Sequence, residues 1–470
     1  MKTVGIIAEF NPFHNGHKYL IEKAKAMTGA DTAVVIMSGD FVQRGAPAVC
    51  DKYLRTRMAL AGGADIVFEL PAVYALGSAE QFAYGGVKLL SSTLNIDAIC
   101  FGSECGNIEE LEDFAMKAEE FSGTAEFKSM MASFVKHGLS YPSAFEKVMA
   151  DKYGIAASSI YAPNNILGIE YCKALYRLQK SGTYAKLPKL YTIKREGSGY
   201  HDDALSSYPS ATAVRNVLLG AYNGTQEDVL PEALPKALNG TLPDTLNNAL
   251  PDEVYKLVKE QYGVTLPITE DDFSDMLYLR LNTASDEELY AIPDTNKDII
   301  NKLIKYRGRH IVISKLIAEI KNKSFTYTAI SRALFRVLLS PFYTKAAEAA
   351  TATVSAVSAA VSATAAEAVS EAVSATAAEA VSAIESASTS DNATLPFLRT
   401  LGFRSTSSEF LKNLRYSDTC TIITKPADGD MNNPLYKLDI YAADLYSQIC
   451  ANKYKTGFTD ELKTGPVIIL

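Results

Sequence analysis

Over the first hundred residues, short apolar runs of β-forming residues alternate with segments whose apolar positions recur at helical spacing. Val4–Phe10 predicts a strand, Gly16–Met27 a helix, Thr32–Met37 a buried strand and Asp51–Ala61 a helix. Ile66–Leu70 predicts a further strand, Ala79–Leu89 a helix and Ala98–Phe101 a strand. Strands that are apolar nearly throughout must be covered on both faces, so the pattern predicts an α/β fold, a doubly wound, Rossmann-like parallel sheet. The strands end in Asn11-Pro12, Ser38-Gly39-Asp40, Glu69-Leu70-Pro71 and Gly102-Ser103-Glu104. Those turns should line one edge of the sheet, where open parallel sheets take their ligands.

Further along, Ile108–Glu120, Ala125–His137, Tyr141–Tyr153 and Asn165–Leu178 read as helices, Leu190–Ile193 as a strand, and Ser210-Ala211-Thr212 opens a helix to about Ala221. Residues 222–253 are rich in Pro, Asn and Leu and predict loop with short helices, whereas Val254–Leu339 is mostly helical. Residues 346–390 are low in complexity, and Val361–Ala372 recurs nearly unchanged at Val373–Ile384. Without Gly or Pro and with only a weak Val stripe, that stretch predicts a frayed helix or disorder in an insertion or linker. Beyond it, Thr421–Thr424 and Leu438–Ile440 are possible strands. The expected division is a catalytic α/β domain over 1–221, a mainly helical region over 222–345, the low-complexity linker over 346–390 and a C-terminal α/β segment over 391–470.

Composition changes this picture in two places. The net charge of −8 argues against a nucleic-acid partner, yet Asn296–Lys345 carries 11 Lys and Arg against Asp298 and Glu319. That window is +9 and leaves −17 for the rest of the chain, a local basic face suited to a specific polyanion. Arg332 and Arg336 are four apart, hence on one helical face, and Tyr327 nearby suits base stacking. The six Cys show no repeating spacing, which favours buried thiols in a reducing compartment over a zinc site or disulfide framework. No run approaches the roughly 18 apolar residues of a membrane helix, and Glu9 interrupts the first apolar run, unlike a signal peptide. A cytoplasmic protein with no membrane association and no obligate protein partner is the expectation.

The candidate chemistry concentrates in Ile7-Ala8-Glu9-Phe10-Asn11-Pro12-Phe13-His14-Asn15-Gly16-His17-Lys18-Tyr19-Leu20. A strand that turns sharply into a helix leaves unpaired N–H groups at the helix start, a ready anion site. His14 and His17 add donors aimed at the same place, and Gly16 removes a Cβ where a flat ring would approach. Gly102 suits close passage of backbone past a ligand, or an ordinary turn. Asn165 reads as a nucleotide-edge contact or a helix cap, and Arg195 as a phosphate clamp or a solvated charge. Asp40, Arg44 and Asp51-Lys52 form a charged cluster that either orients an acceptor or makes surface ion pairs.

Phe10-Asn11-Pro12-Phe13-His14-Asn15-Gly16-His17 resembles the HxGH signature of the nucleotidyltransferase superfamily, relatives of the class I aminoacyl-tRNA synthetases. With Ser38–Gly45, Phe68–Pro71, Phe101–Glu104 and Pro163–Gly168, the ordered set resembles the bacterial tRNA(Met) cytidine acetate ligase family, strongly over about residues 1–220. The resemblance implies a nucleotidyltransferase domain followed by a tRNA-binding helical region. It implies ATP as cofactor, with Mg2+ on the phosphates, although no carboxylate cluster names metal ligands. It implies acetate as substrate and elongator tRNA(Met) as partner: acetyl-adenylate forms and its acetyl group passes to N4 of the wobble cytidine. His14 and His17 would stabilise charge at the α-phosphate, and Gly102, Asn165 and Arg195 would contact ATP. Ser210-Ala211-Thr212-x-x-Arg215 resembles the superfamily's second phosphate motif, with Ala211 in place of its middle Ser. The alternatives are a small-molecule adenylyltransferase, which needs no basic helical region, and a non-catalytic tRNA-binding protein with a relic nucleotide site.

Overall fold

The computed structural model describes residues 2–93, 96–139, 141–154, 161–181, 186–195, 209–223, 242–322, 325–370, 397–415 and 421–470. Apolar strands assemble into one sheet in the order β10-β8-β5-β2-β1-β6-β7, with β9 also on β8. Its members are β1 (Thr3–Ala8), β2 (Thr32–Ser38), β5 (Ile66–Leu70), β6 (Ala98–Ser103) and β7 (Lys189–Lys194). The C-terminal segment adds β8 (Phe397–Arg404), β9 (Thr421–Ile423) and β10 (Val467–Ile469). A separate two-stranded hairpin, β3 (Phe41–Val42) and β4 (Ala46–Pro47), follows β2. Strands β5-β2-β1-β6-β7 are mutually parallel. Because β2 and β5 lie on one side of β1 while β6 and β7 lie on the other, the strand order reverses at β1. Such a switch point leaves a crevice at the carboxyl ends of the strands.

Both faces are covered, which is why the strands read as continuous apolar runs. Ile7, Val34, Ile36 and Phe68 pack under α3 (Ala79–Thr93), α4 (Ile108–Ser122) and α5 (Pro163–Lys180). The alternate residues Ile6, Val35, Met37 and Val67 pack under α1 (Asn15–Thr28), α2 (Lys52–Ala61) and α6 (Ala211–Asn223). A second, helical core is built around Phe273, Leu316, Phe335 and Tyr446. It joins α7 (Tyr327–Ser370) to α8 (Pro434–Tyr454) and reaches the hairpin through Phe41.

The C-terminal segment departs from expectation. Its strands join the main sheet, where β8 runs antiparallel against β5. Leu438–Ile440, read as a strand, lies inside α8, whose start is set by the Asn433 cap and Pro434. The first part of the low-complexity stretch continues α7 as far as Ser370, and 371–396 lie outside the described residues.

Charge is buried where the segment docks. Lys52 is 1 % exposed and lies 2.8 Å from Glu69 and 2.6 Å from Glu461. Arg399 on β8 is equally buried, 3.1 Å from Glu69 and paired with Glu461. Asp40 approaches Lys52 and Arg55 at 3.9 Å each. The Asp40–Lys52 part of the sequence cluster is therefore an internal network, not a surface set. Asp51 instead caps α2 by accepting from Leu54 N. Cations and carboxylates taken from water cost several kcal/mol each unless every charge finds a partner, as these do by sharing carboxylates. Arg336, expected on an exposed basic face, is 3 % exposed. It donates to the carbonyls of Leu76, Asp294 and Pro293, tying α7 to the loops beneath it.

Candidate active site

The carboxyl end of β1 is braced by buried polar side chains. Arg55 reaches up from α2 and donates to the carbonyls of Glu9 (2.8 Å), Ser38 (3.0 Å), Gly39 and Cys50 (3.0 Å), locking the ends of β1 and β2 together. The chain then turns with Phe10 at φ 47° and a cis Asn11-Pro12 bond. Asn11 Oδ1 accepts from Val49 N at 2.8 Å, and its carbonyl accepts from Arg215 at 2.7 Å. Phe13 turns into the core beneath the turn, and a Cβ on Gly62 would come within 2.2 Å of its ring.

The two histidines cap α1 reciprocally. His14 Nδ1 accepts from Gly16 N at 3.1 Å, and His17 Nδ1 accepts from His14 N at 3.3 Å. The rings stack with centroids 3.7 Å apart. Gly16 is required here because a Cβ would lie 2.9 Å from the His14 ring; the space it vacates is filled by that ring. Since both Nδ1 atoms accept backbone protons, each neutral imidazole carries its proton on Nε2, leaving Nε2–H as a donor. Burial, with Arg195 and Arg215 nearby, pushes His14 down to about 3. Burial, His14 and Arg195 likewise lower His17 well below its ordinary value. Both rings are uncharged donors at neutral pH, in a cleft whose nearby guanidiniums leave room for an anion.

A cavity of 530 Å³ opens over this helix start. Of the sequence-predicted residues, Ile7, Ala8, Glu9, Phe10, Asn11, His14, Gly16, His17, Tyr19, Leu20, Gly102 and Arg195 line it. Arg195 lies across Gly102, its Cγ 3.4 Å from where a Cβ would stand. Pro12, Phe13, Asn15, Lys18 and Asn165 are not among the lining residues. Asn15 donates to Asn248 O, and Lys18 is exposed on α1. Asn165 is fully buried and its Oδ1 accepts from Glu104 N and Cys105 N, while the Glu104 carboxylate accepts from Asn164 N and Asn165 N at the start of α5. It fastens the turn after β6 to α5, so that its neighbours Asn164 and Ile166 reach the cavity.

Sequence reasoning did not place Gln43, Phe82, Tyr171, Thr328 and Arg332 on this wall. Arg44, expected in a charged cluster in the turn after the second strand, also lines the cavity. Thr328 and Arg332 arrive from α7, more than three hundred residues beyond the motif, and only their i, i+4 spacing marks a shared face. The Ser210–Arg215 motif does sit at the site: Ser210 Oγ caps α6 through Ala213 N, and Ala211 lines the cavity.

Residues 1–367 match the HIGH Nucleotidyl Transferase family. The tRNA(Met) cytidine acetate ligase of Clostridium novyi is 33 % identical across the full length of both chains. This chain belongs to the tRNA(Met) cytidine acetate ligase family. The fold agrees: apo Thermotoga maritima TmcAL superposes with a TM-score of 0.75 at 23 % identity, each chain covered completely. The same protein bound with alpha-thio ATP gives 0.74 at 22 % identity, covering 100 % of this chain and 99 % of that one. Among the described residues, no helix is long and apolar enough to cross a membrane.

Proposed function

We propose that the cavity binds ATP and activates acetate, and that the acetyl group passes to N4 of the wobble cytidine of elongator tRNA(Met). A carboxylate oxygen of acetate attacks the α-phosphorus, the bond to pyrophosphate breaks, and acetyl-adenylate remains. The cytidine amine then attacks the acetyl carbonyl, AMP leaves, and the amine loses a proton to give N4-acetylcytidine. The observation that carries this reading is the pair of uncharged Nε2–H donors fixed at the start of α1 beside Arg195 and Arg215. Donors preset where negative charge grows stabilise a phosphoryl transition state without reorganising, and little covalent work is left to the protein. Gly102 gives the nucleotide a close approach, and the α6 start with Arg215 suits the leaving pyrophosphate.

Magnesium enters this reading as a companion of the phosphates. Glu9 is the one carboxylate among the described lining residues, and Mg2+ is commonly held by one or two carboxylates together with substrate phosphates and water. What it supplies there is neutralisation of phosphate charge.

The test is ATP–pyrophosphate exchange with and without acetate, beside a His17→Ala control. Acetate-dependent exchange that the substitution abolishes supports carboxylate adenylation. No exchange, even with tRNA added, refutes it.

A further inference from the structure

The far wall of the cavity contains a cation that the adenylation chemistry leaves unused. Arg332 projects from α7 into the same space as His14 and His17, with Thr328 one turn before it. It is half-buried, and among the described residues its guanidinium makes a single, long 3.4 Å hydrogen bond, to Gln43 O. Among the described residues no carboxylate pairs with it, and burial together with the neighbouring Arg336 pushes it down to about 10, still charged at neutral pH. Arg336, one turn on, shows the contrast, because its guanidinium is committed to backbone carbonyls. A desolvated guanidinium without an anion destabilises the empty protein, and a bidentate oxyanion is the ligand that relieves it.

The hairpin turn brings a second guanidinium to the same wall. Ser331 Oγ donates to Gly45 O, and Gly45 has φ 75° with its missing Cβ only 2.3 Å from Arg332 N. Backbone contact that close holds the Gln43-Arg44-Gly45 turn against α7, so Arg44 and Arg332 line one end of the cavity from two elements. Glu9 accepts from Gln43 N at 2.8 Å, which links that end to the carboxyl end of β1. Two short helices packed against α7, Lys297–Ile304 and Ile313–Ile320, and the turns that follow them expose Lys297, Lys305, Arg309, Lys315 and Lys321 against Asp298 and Glu319, a net positive surface beside α7 suited to a polyanion.

We propose that Arg332, with Thr328 and Arg44 beside it, holds a backbone phosphate of the RNA strand next to the base being acetylated, making this end of the cavity the acceptor's docking subsite. The inference rests on the RNA-acetylation reading above. A carboxylate would fit the same guanidinium fork, but the adjoining cationic surface favours an anion that continues beyond the cavity.

Arg332→Gln and Arg332→Lys, each checked by thermal melting, should be compared with the unmodified protein in two assays. The first is acetate-dependent ATP–pyrophosphate exchange without RNA, and the second is tRNA acetylation over a range of salt. For Arg332→Gln the KM for tRNA should rise about tenfold or more, the scale of a lost charge-assisted hydrogen bond. The slope of log KM against log salt should fall by about 0.7, one single-strand phosphate contact. Arg332→Lys should restore the slope and only part of the affinity. In the exchange assay any rise in the KM for ATP or for acetate should stay well below the rise in the KM for tRNA. Should Arg332→Gln fail to fold, Arg44→Gln must show the same RNA-specific loss. An unchanged KM and slope for tRNA would overturn the subsite, and so would a tenfold rise in the acetate KM, which would place the carboxylate there. Unmodified protein that exchanges pyrophosphate yet acetylates no tRNA would instead refute the functional reading itself.

Discussion

His14 has two separable duties, and substitution can divide them. Its Nδ1 accepts from Gly16 N at 3.1 Å and so closes the helix, while its Nε2–H is left for the ligand. An asparagine at this position places Oδ1 near where Nδ1 stood and is a favoured cap, but it has nothing at the Nε2 position. His14→Asn should therefore unfold within about 0.5 kcal/mol of the unmodified protein, since the cap is kept. His14→Ala loses cap and donor together and should be less stable by roughly 0.5–2 kcal/mol. Both should slow acetate-dependent exchange by roughly 10²–10³, the scale of removing one preset donor from a developing oxyanion. Urea unfolding beside exchange kinetics measures the two duties on the same samples. Exchange by His14→Asn within threefold of the unmodified protein would refute the donor role. Equal instability of the Asn and Ala variants would refute the capping role.

Three further outcomes are expected. Gly102→Ala meets nothing closer than the Cγ of Arg195, at 3.4 Å, so stability should hold while the KM for ATP rises, by roughly tenfold if the added methyl denies one close contact; an unchanged KM would mean that the nucleotide does not pass here. Lys52→Met leaves Glu69 and Glu461 to share Arg399 alone, one buried carboxylate too many for the remaining cation, and should cost about 3–5 kcal/mol in urea unfolding, with part of the loss recovered by adding Glu461→Gln. Burial pushes Asp40 up to about 7, so the folded protein keeps a proton that the unfolded chain releases above about 4. Stability from that proton is fully present below about pH 4 and is lost as pH rises from there to about 7; the melting temperature should fall between about pH 4 and 7, and less so in Asp40→Asn.

The parallel half of the sheet was legible because each of its strands is buried on both faces. Ile66–Leu70 was bounded to the residue, and β1, β2, β6 and β7 to within two at either end. The turn after β1 was legible for a related reason, since its geometry is local: both histidines cap the helix they begin. What was not legible depends on partners far away in the chain. Phe397–Arg404 was not read as a strand, because the partners that admit Arg399 to the interior, Glu69 and Glu461, lie in other parts of the sequence. Arg332 and Arg336 looked like one basic stripe, yet the carbonyls of Leu76 and Asp294 take the second inside. Asn165 carried both meanings in sequence, and only the fold shows its Oδ1 turned to the amides of 104 and 105. Leu438–Ile440 was misread from three residues of a longer pattern, although Asn433 and Pro434 announce the helix.

The antiparallel pairing of β8 with β5 also sets a schedule for biosynthesis. Strand β5 leaves the ribosome with an unpaired edge and with Glu69 lacking Arg399, and both wait for β8, roughly 330 residues later. At typical elongation rates of about 5–20 residues per second that interval is roughly 15–65 s, during which a nascent chain exposes a template for wrong pairing. Chains that terminate within 371–396 never leave that condition. Ribosome-bound or truncated forms ending there should need holding by chaperones, even though the histidine turn and its supporting helices have all been made.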